Sequence, residues 1–68
     1  MTVQLVVNGA PATVADGTTV ADLVAARCPS PRGIAVAVGA EVLPRSAWGG
    51  TLLAEGDRVE IVTAAAGG

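Results

Sequence analysis

Residues 3–27 of the 68-residue chain read VQLVVNGAPATVADGTTVADLVAAR, and this stretch carries the clearest indication of the fold. An alternating run rich in β-branched residues ends at Asn8-Gly9, a pair that tolerates the positive φ angles of a tight hairpin turn. The chain then returns, and Pro11, which has no N–H, places the returning strand at a sheet edge. The stretch therefore begins with a predicted β-hairpin, with strands at Val3–Val7 and Ala12–Val14.

A helix is predicted directly after the hairpin. The Thr19-x-x-Asp22 spacing has the form of a capping box, in which each side chain bonds the backbone N–H of the other residue. Apolar residues then recur at the spacing of one helical face, at Val20, Leu23 and Val24. The helix cannot run past Cys28, because Pro29 biases its predecessor away from the helical region.

The rest of the chain contains further strand patterns but no second helix of comparable length. The predicted elements are a third strand at Ile34–Val38, a short fourth strand at Glu41–Leu43, a turn or 3₁₀ segment at Arg45–Gly50, and a last strand at Arg58–Thr63. One helix must cover one face of the sheet, and a right-handed crossover places the first and last strands side by side and parallel in its centre. This order predicts an α+β fold of the β-grasp type, with a mixed four- to five-stranded sheet packed on one helix. Residues 1–63 form the predicted domain, and residues 64–68 a flexible C-terminal tail.

Composition argues against several functional classes. The formal net charge is −2, with four Arg against six acidic residues, and Trp48 is the one aromatic residue, so a basic stripe with stacking aromatics is missing. The chain has no His, the commonest general base and metal ligand, and a single Cys, which cannot form an internal disulfide or a zinc site. No apolar run approaches the roughly 20 residues of a membrane span. We expect a cytoplasmic monomer that is not an enzyme, has no metal or cofactor of its own, and binds neither nucleic acid nor membrane.

The sequence ends in Gly67-Gly68, five residues after the last predicted strand. Without Cβ atoms these two residues, behind Ala66, could thread a narrow channel in a partner. A free α-carboxylate is ionised at neutral pH and unreactive as an acyl donor, so its use needs phosphoryl activation, typically adenylation. The chain has no Gly-rich loop followed by Lys and is not expected to bind ATP itself. Gly68 is therefore predicted to be the substrate of an adenylating enzyme, and the alternative is a tail without function.

Motifs spread over the full length carry a family resemblance. They are Asp16-Gly17-Thr18-Thr19-Val20-x-x-Leu23, Gly33-Ile34-Ala35-Val36-Ala37, Val42-Leu43-Pro44-Arg45-x-x-Trp48, Gly56-Asp57-x-Val59-Glu60-Ile61 and Ala66-Gly67-Gly68. In this order they resemble the ThiS family, the sulfur carriers of bacterial thiamin biosynthesis. The Pro-Arg-x-x-Trp stretch is the most family-specific of them.

The resemblance implies a reaction cycle in which the chain is a substrate. A ThiF-type enzyme adenylates the carboxylate of Gly68 with MgATP, a persulfide derived from a cysteine desulfurase replaces AMP with sulfur, and the resulting thiocarboxylate donates sulfur to a thiazole synthase of the ThiG type. A carrier for molybdopterin or cysteine synthesis would share the β-grasp body and the Gly-Gly end. A ubiquitin-like modifier would instead form isopeptide bonds through Gly68, and a plain binding module would tolerate loss of the terminal glycines.

The remaining predictions concern partner contacts. Because side chains alternate between the two faces of a strand, some of the large apolar side chains must face away from the helix. Part of the apolar surface should therefore lie on the far side of the sheet, where it would dock the adenylating enzyme and the thiazole synthase. The residues assigned to this interface are Val6, Val36, Val38, Val62, Trp48 and Arg45. For Trp48, packing in the core is the alternative to anchoring a partner, and for Arg45 it is a solvated surface. Cys28 is interpreted as a small half-buried apolar residue rather than a sulfur-accepting thiol.

Overall fold

The structure is a computed structural model that describes residues 1–28 and 33–63. Its elements are β1 at Thr2–Val7, β2 at Ala10–Ala15, α1 at Val20–Arg27, β3 at Ile34–Val38, β4 at Glu41–Leu43, a 3₁₀ helix at Arg45–Gly50, and β5 at Arg58–Thr63. Every predicted element is present. The largest difference is in β2, which begins two residues before the predicted Ala12. The predicted division at residue 63 stays a prediction, because residues 64–68 lie outside the described part of the chain.

The five strands form one mixed sheet in the order β2-β1-β5-β3-β4. β1 and β5 are parallel neighbours, with Val7 opposite Val59, and all the other strand pairs are antiparallel. β5, the last strand in sequence, therefore occupies the centre of the sheet. This topology confirms the predicted β-grasp arrangement, and β2, which contains Pro11, lies at a sheet edge as expected.

The hairpin and the helix start follow from local residue chemistry. Asn8 and Gly9 have φ angles of 51° and 81°, and two consecutive positive φ angles are typical of a type I′ turn. At the helix start, the Asp22 N–H donates to Thr19 Oγ1 at 3.1 Å, and the Thr19 N–H donates to Asp22 Oδ2 at 3.1 Å. This is the predicted capping box. The helix ends at Arg27, and Cys28 is already extended.

The hydrophobic core lies between α1 and one face of the sheet, which we call the inner face. Its buried members are Val3, Leu5, Val7, Val20, Leu23, Val24, Val36, Trp48, Leu53 and Val59. The core contains no buried polar or charged side chain among the described residues. Valine and leucine supply nearly all of its volume, so the single large side chain, Trp48, has a disproportionate share of the packing.

Candidate functional site

The sheet surface turned away from α1, which we call the outer face, is the main candidate for partner contacts. Successive side chains of a strand point to opposite faces. On β1, Leu5 and Val7 are buried, so Val6 between them points to the outer face. On β5, Val59 is buried in the core, and Val62, three residues later, points outward. Val6 and Val62 thus lie on the far side of the sheet, as expected, and their contact with a partner stays a prediction.

An apolar strip crosses the outer face from the centre of the sheet to its β4 edge. It consists of Val62 on β5, Ala35 and Ala37 on β3, and Val42 on β4. The strip is continuous because Ala35 pairs with Val62 and Ala37 with Val42 across neighbouring strands. Val42 is 77% exposed and Val62 is 58% exposed. Two large apolar side chains that remain this open, joined by the alanines of β3 on one sheet face, are typical of a protein-binding surface.

Charged residues border the strip. Arg58 and Glu60 are exposed on the same side of β5 as Val62, because all three occupy even positions of the strand. Val6 lies across from Arg58 in the parallel pairing of β1 and β5. The outer face thus has an apolar strip with a polar margin, which is the usual composition of a transient protein interface.

Two valines assigned to the interface lie on the inner face instead. Val36 is 1% exposed and belongs to the core, so its prediction as a partner contact is wrong. Val38 is half-buried and packs against the same core, which contradicts its placement on the far side of the sheet. The reason is register: Val36 lies opposite Ile61, and this antiparallel pair points toward α1. The alanines between the β3 valines face outward.

Trp48 and Arg45 lie outside the outer face. Trp48 is 4% exposed, and its Nε1–H donates to the Leu43 carbonyl at 3.0 Å, so it packs in the core and is not an exposed anchor. Arg45 is exposed at the start of the 3₁₀ helix. With α1, the 3₁₀ helix borders a groove of about 380 Å³ on the opposite side of the molecule from the outer strip. The groove is lined by Ala21, Val24, Ala25, Cys28, Arg45, Trp48 and Gly49.

Cys28 is half-buried at the end of α1 and packs against the core. This environment agrees with its interpretation as a small apolar residue. Within residues 1–28 and 33–63, no three His, Cys, Asp or Glu side chains are grouped so that they could hold a metal ion. None of the helices in these ranges is long and apolar enough to cross a membrane.

The segment before β5 makes contacts that the sequence patterns did not indicate. The Thr51 carbonyl accepts from the Val20 N–H at 2.9 Å, and the Leu53 N–H donates to the Thr18 carbonyl at 2.9 Å. These bonds hold the segment against the start of α1, and Leu53 is buried there at 4% exposure. The adjacent Leu52-Leu53 pair was the available signal, and only the structure shows that Leu53 is buried while Leu52 is 63% exposed.

Asn8 has a second role that its turn position did not reveal. Its Oδ1 accepts a hydrogen bond from the Ile61 N–H at 2.7 Å, across 53 positions in the sequence. The Asn8 N–H also donates to the Val59 carbonyl at 2.9 Å. The hairpin turn is therefore bonded directly to the second half of β5.

The predicted sulfur-carrying end, Gly68 with Gly67 and Ala66, lies outside the described residues. The last described residue is Thr63, which pairs with Ile34 at the end of the central strand. The chain therefore passes into residues 64–68 from the middle of the sheet. Val62, a member of the apolar strip, precedes this point by a single residue.

Comparisons with known proteins agree with the fold and the motifs. The model of the ThiS family matches residues 5–68. The chain is similar to the crystal structure of the thiamine biosynthesis protein (ThiS) from Geobacter metallireducens, with 35% sequence identity and a TM-score of 0.80 over 96% of this chain and 99% of that one. Comparison with curated proteins found no match. The chain therefore belongs to the ThiS family, whose members are small sulfur-carrier proteins of thiamine biosynthesis.

Proposed function

We propose that the chain carries sulfur as a thiocarboxylate on Gly68 and delivers it to the thiazole of thiamin. The observation that carries the proposal is the family match, which runs through residue 68 and so includes the terminal Gly67-Gly68. The similarity to the thiamine biosynthesis protein from Geobacter metallireducens supports the thiazole pathway over the molybdopterin and cysteine pathways that the Gly-Gly end alone leaves open.

The chemistry proceeds by activation of an unreactive carboxylate. A carboxylate oxygen of Gly68 attacks the α-phosphorus of MgATP on a ThiF-type enzyme, which yields the acyl adenylate and pyrophosphate. The terminal sulfur of a persulfide, derived from a cysteine desulfurase, attacks the acyl carbon and expels AMP. A thiol then cleaves the acyl disulfide, is itself oxidised to a disulfide, and leaves the thiocarboxylate for a ThiG-type thiazole synthase. In this scheme MgATP belongs to the adenylating partner.

In the reaction, this chain docks on its partner enzymes and presents the carboxylate of Gly68 to them. In our proposal the apolar strip on the outer face contacts the adenylating enzyme, and the thiazole synthase uses the same surface in turn. Val62 supports this assignment, because a partner that covers it lies within two residues of the point where the tail begins. Arg58 and Glu60 at the margin would orient the encounter by charge.

An intact-mass measurement tests the sulfur chemistry. The chain is incubated with a ThiF-type enzyme, MgATP, a persulfide donor and a thiol that cleaves the acyl disulfide, beside a variant that lacks Gly68. We expect the full chain to gain the mass difference between sulfur and oxygen, and the truncated variant to stay unchanged. No gain, with the enzyme shown to be active on its own carrier, would contradict the proposal. Isopeptide adducts on lysines of other proteins would favour the modifier alternative.

A pair of aspartate variants tests the docking surface. Val62→Asp places a charge in the apolar strip, whereas Leu52→Asp makes the same kind of change at a side chain that is 63% exposed outside the sheet. We expect Val62→Asp to raise the KM of the ThiF-type adenylating enzyme for this chain about tenfold or more. The reason is that a buried unpaired charge costs more than about 1.4 kcal/mol at an interface. Leu52→Asp should leave KM unchanged. Equal effects of the two variants would refute docking through the strip.

A further inference from the structure

Within residues 1–28 and 33–63, the second half of β5 has no strand neighbour on its β1 side. β1 ends at Val7, opposite Val59, whereas β5 continues to Thr63. On its other side β5 stays paired with β3 over its full length, as far as the Thr63–Ile34 pair. Beyond Val59, β5 is thus paired with a strand on its β3 side, and on its β1 side it contacts the hairpin turn.

Asn8 supplies the missing contact with its side chain. In a parallel ladder one residue bonds to two residues of its neighbour, one on each side of its partner position. Asn8 makes the first of these bonds with its backbone N–H, to the Val59 carbonyl. The second would join the Asn8 carbonyl to the Ile61 N–H, but the positive φ of 51° turns the backbone away into the hairpin. The side-chain Oδ1 accepts from Ile61 instead, at 2.7 Å.

The turn chemistry and this contact require the same residue type. Asparagine tolerates positive φ better than nearly all other residues with a side chain. Its amide oxygen can also accept the hydrogen bond that the backbone carbonyl of a strand residue would accept at this position. Glycine would satisfy the turn but has no acceptor. Aspartate would satisfy both requirements, because its carboxylate also accepts hydrogen bonds.

We propose that Asn8 is a positioning residue, which holds the end of β5 through the Ile61 N–H and so sets the direction in which the chain leads into its C-terminal residues. The inference rests on the proposed function, since its consequence is delivery of Gly68 to a partner active site. Ile61 is three positions before residue 64, so this bond fixes the end of β5 close to the point where the chain enters its C-terminal residues. Misplacement of a reacting group by about 1 Å can reduce a rate by about 100-fold.

The variants Asn8→Gly and Asn8→Asp separate the acceptor from the turn. Both keep a residue that accepts positive φ, and only Asn8→Gly removes the oxygen. Amide hydrogen exchange reports the contact itself: we expect the Ile61 amide to exchange about tenfold faster in Asn8→Gly and at the wild-type rate in Asn8→Asp. An unchanged Ile61 rate in Asn8→Gly would overturn the inference without reference to any partner.

Steady-state pyrophosphate release by a ThiF-type enzyme with MgATP reports the consequence. We expect Asn8→Gly to lower kcat about tenfold while KM stays within about twofold, because the outer strip is untouched and only placement of the carboxylate changes. The separate variant Asn8→Asp should have the wild-type kcat. A kcat that is unchanged in Asn8→Gly, or lowered equally in Asn8→Asp, would refute positioning by the acceptor.

Glu55→Ala is the matched control. Glu55 Oε1 accepts from the Gln4 N–H at 3.0 Å, which is also a side chain-to-backbone bond onto β1, before its pairing with β5 begins at Val6. Gln4 precedes Asn8 by four residues, about 13 Å along the strand and away from the tail. Glu55→Ala should therefore leave kcat unchanged, and an equal loss would show that general weakening of the fold is the cause. Absence of turnover with the wild-type chain and an active enzyme would refute the proposed function, and with it the delivery role of Asn8.

Discussion

Replacement of Trp48 by alanine tests how this core is held together. Trp48 connects the 3₁₀ helix to the core, where its ring packs against α1, and its Nε1–H bonds the Leu43 carbonyl at the end of β4. The other core residues are valines and leucines, which cannot expand into the space that the indole would leave. The variant therefore creates a cavity and also leaves a carbonyl group without its donor.

The magnitude follows from burial and from chain length. Truncation of a buried Trp to Ala costs about 3–5 kcal/mol. A domain of 68 residues, at about 0.05–0.15 kcal/mol per residue, has a free energy of unfolding of roughly 3–10 kcal/mol. Trp48→Ala is therefore expected to remove a large part of the stability. Trp48→Phe, which keeps most of the ring but loses the N–H, should cost about 1–2 kcal/mol.

Urea denaturation followed by far-UV circular dichroism measures both variants, since fluorescence is lost with the indole. With an m-value of about 1 kcal/mol/M for a chain of this size, Trp48→Ala should lower the midpoint by about 3 M or more. Leu52→Ala, at a side chain that is 63% exposed, is the control and should change stability by less than about 0.5 kcal/mol. If Trp48→Ala denatured at the wild-type midpoint, the packing account would be wrong and the residue would be better explained as a partner anchor.

Two further variants test the helix start and the cysteine. Thr19→Ala removes the Oγ1 acceptor of the capping box and should destabilise the fold by about 1 kcal/mol, measured as a lower urea midpoint, whereas Thr19→Ser, which keeps the hydroxyl, should retain most of the stability. An unchanged midpoint in Thr19→Ala would mean that tertiary contacts alone hold the helix start. Cys28→Ala should still gain sulfur in the intact-mass assay, because Cys28 is half-buried against the core. Loss of sulfur loading in a variant that remains folded would show that this thiol takes part in transfer.

The fold was predictable where short-range chemistry specifies it. The capping box of Thr19 and Asp22 limits the helix at one end, and Pro29 limits it at the other. Asn8-Gly9 specifies the hairpin turn, since few other residue pairs accept two positive φ angles. The position of β5 beside β1 followed from handedness, because a single helix between a hairpin and later strands leaves few right-handed arrangements.

The site was predictable only in part, because it depends on register. Val6 and Val62 were assigned to the partner surface, and the structure places them on the outer face. Val36 was assigned with them and is buried. All three are valines within alternating strands, and a shift of one residue in the pairing would exchange their faces. A local sequence pattern does not show how one strand pairs with the next. It could therefore not distinguish Val6 and Val62, which face outward, from Val36, which is buried.

The sequence alone was sufficient for the element order, the turn and cap residues and the motifs of the ThiS family, because each depends on residues within a few positions of one another. Tertiary structure was needed to show which face each valine occupies, that Trp48 is buried, and that Leu53 joins the core. It was also needed to find the bond from Asn8 to Ile61, which spans 53 positions. Such contacts form only when distant strands pair, and their geometry is a property of the assembled sheet.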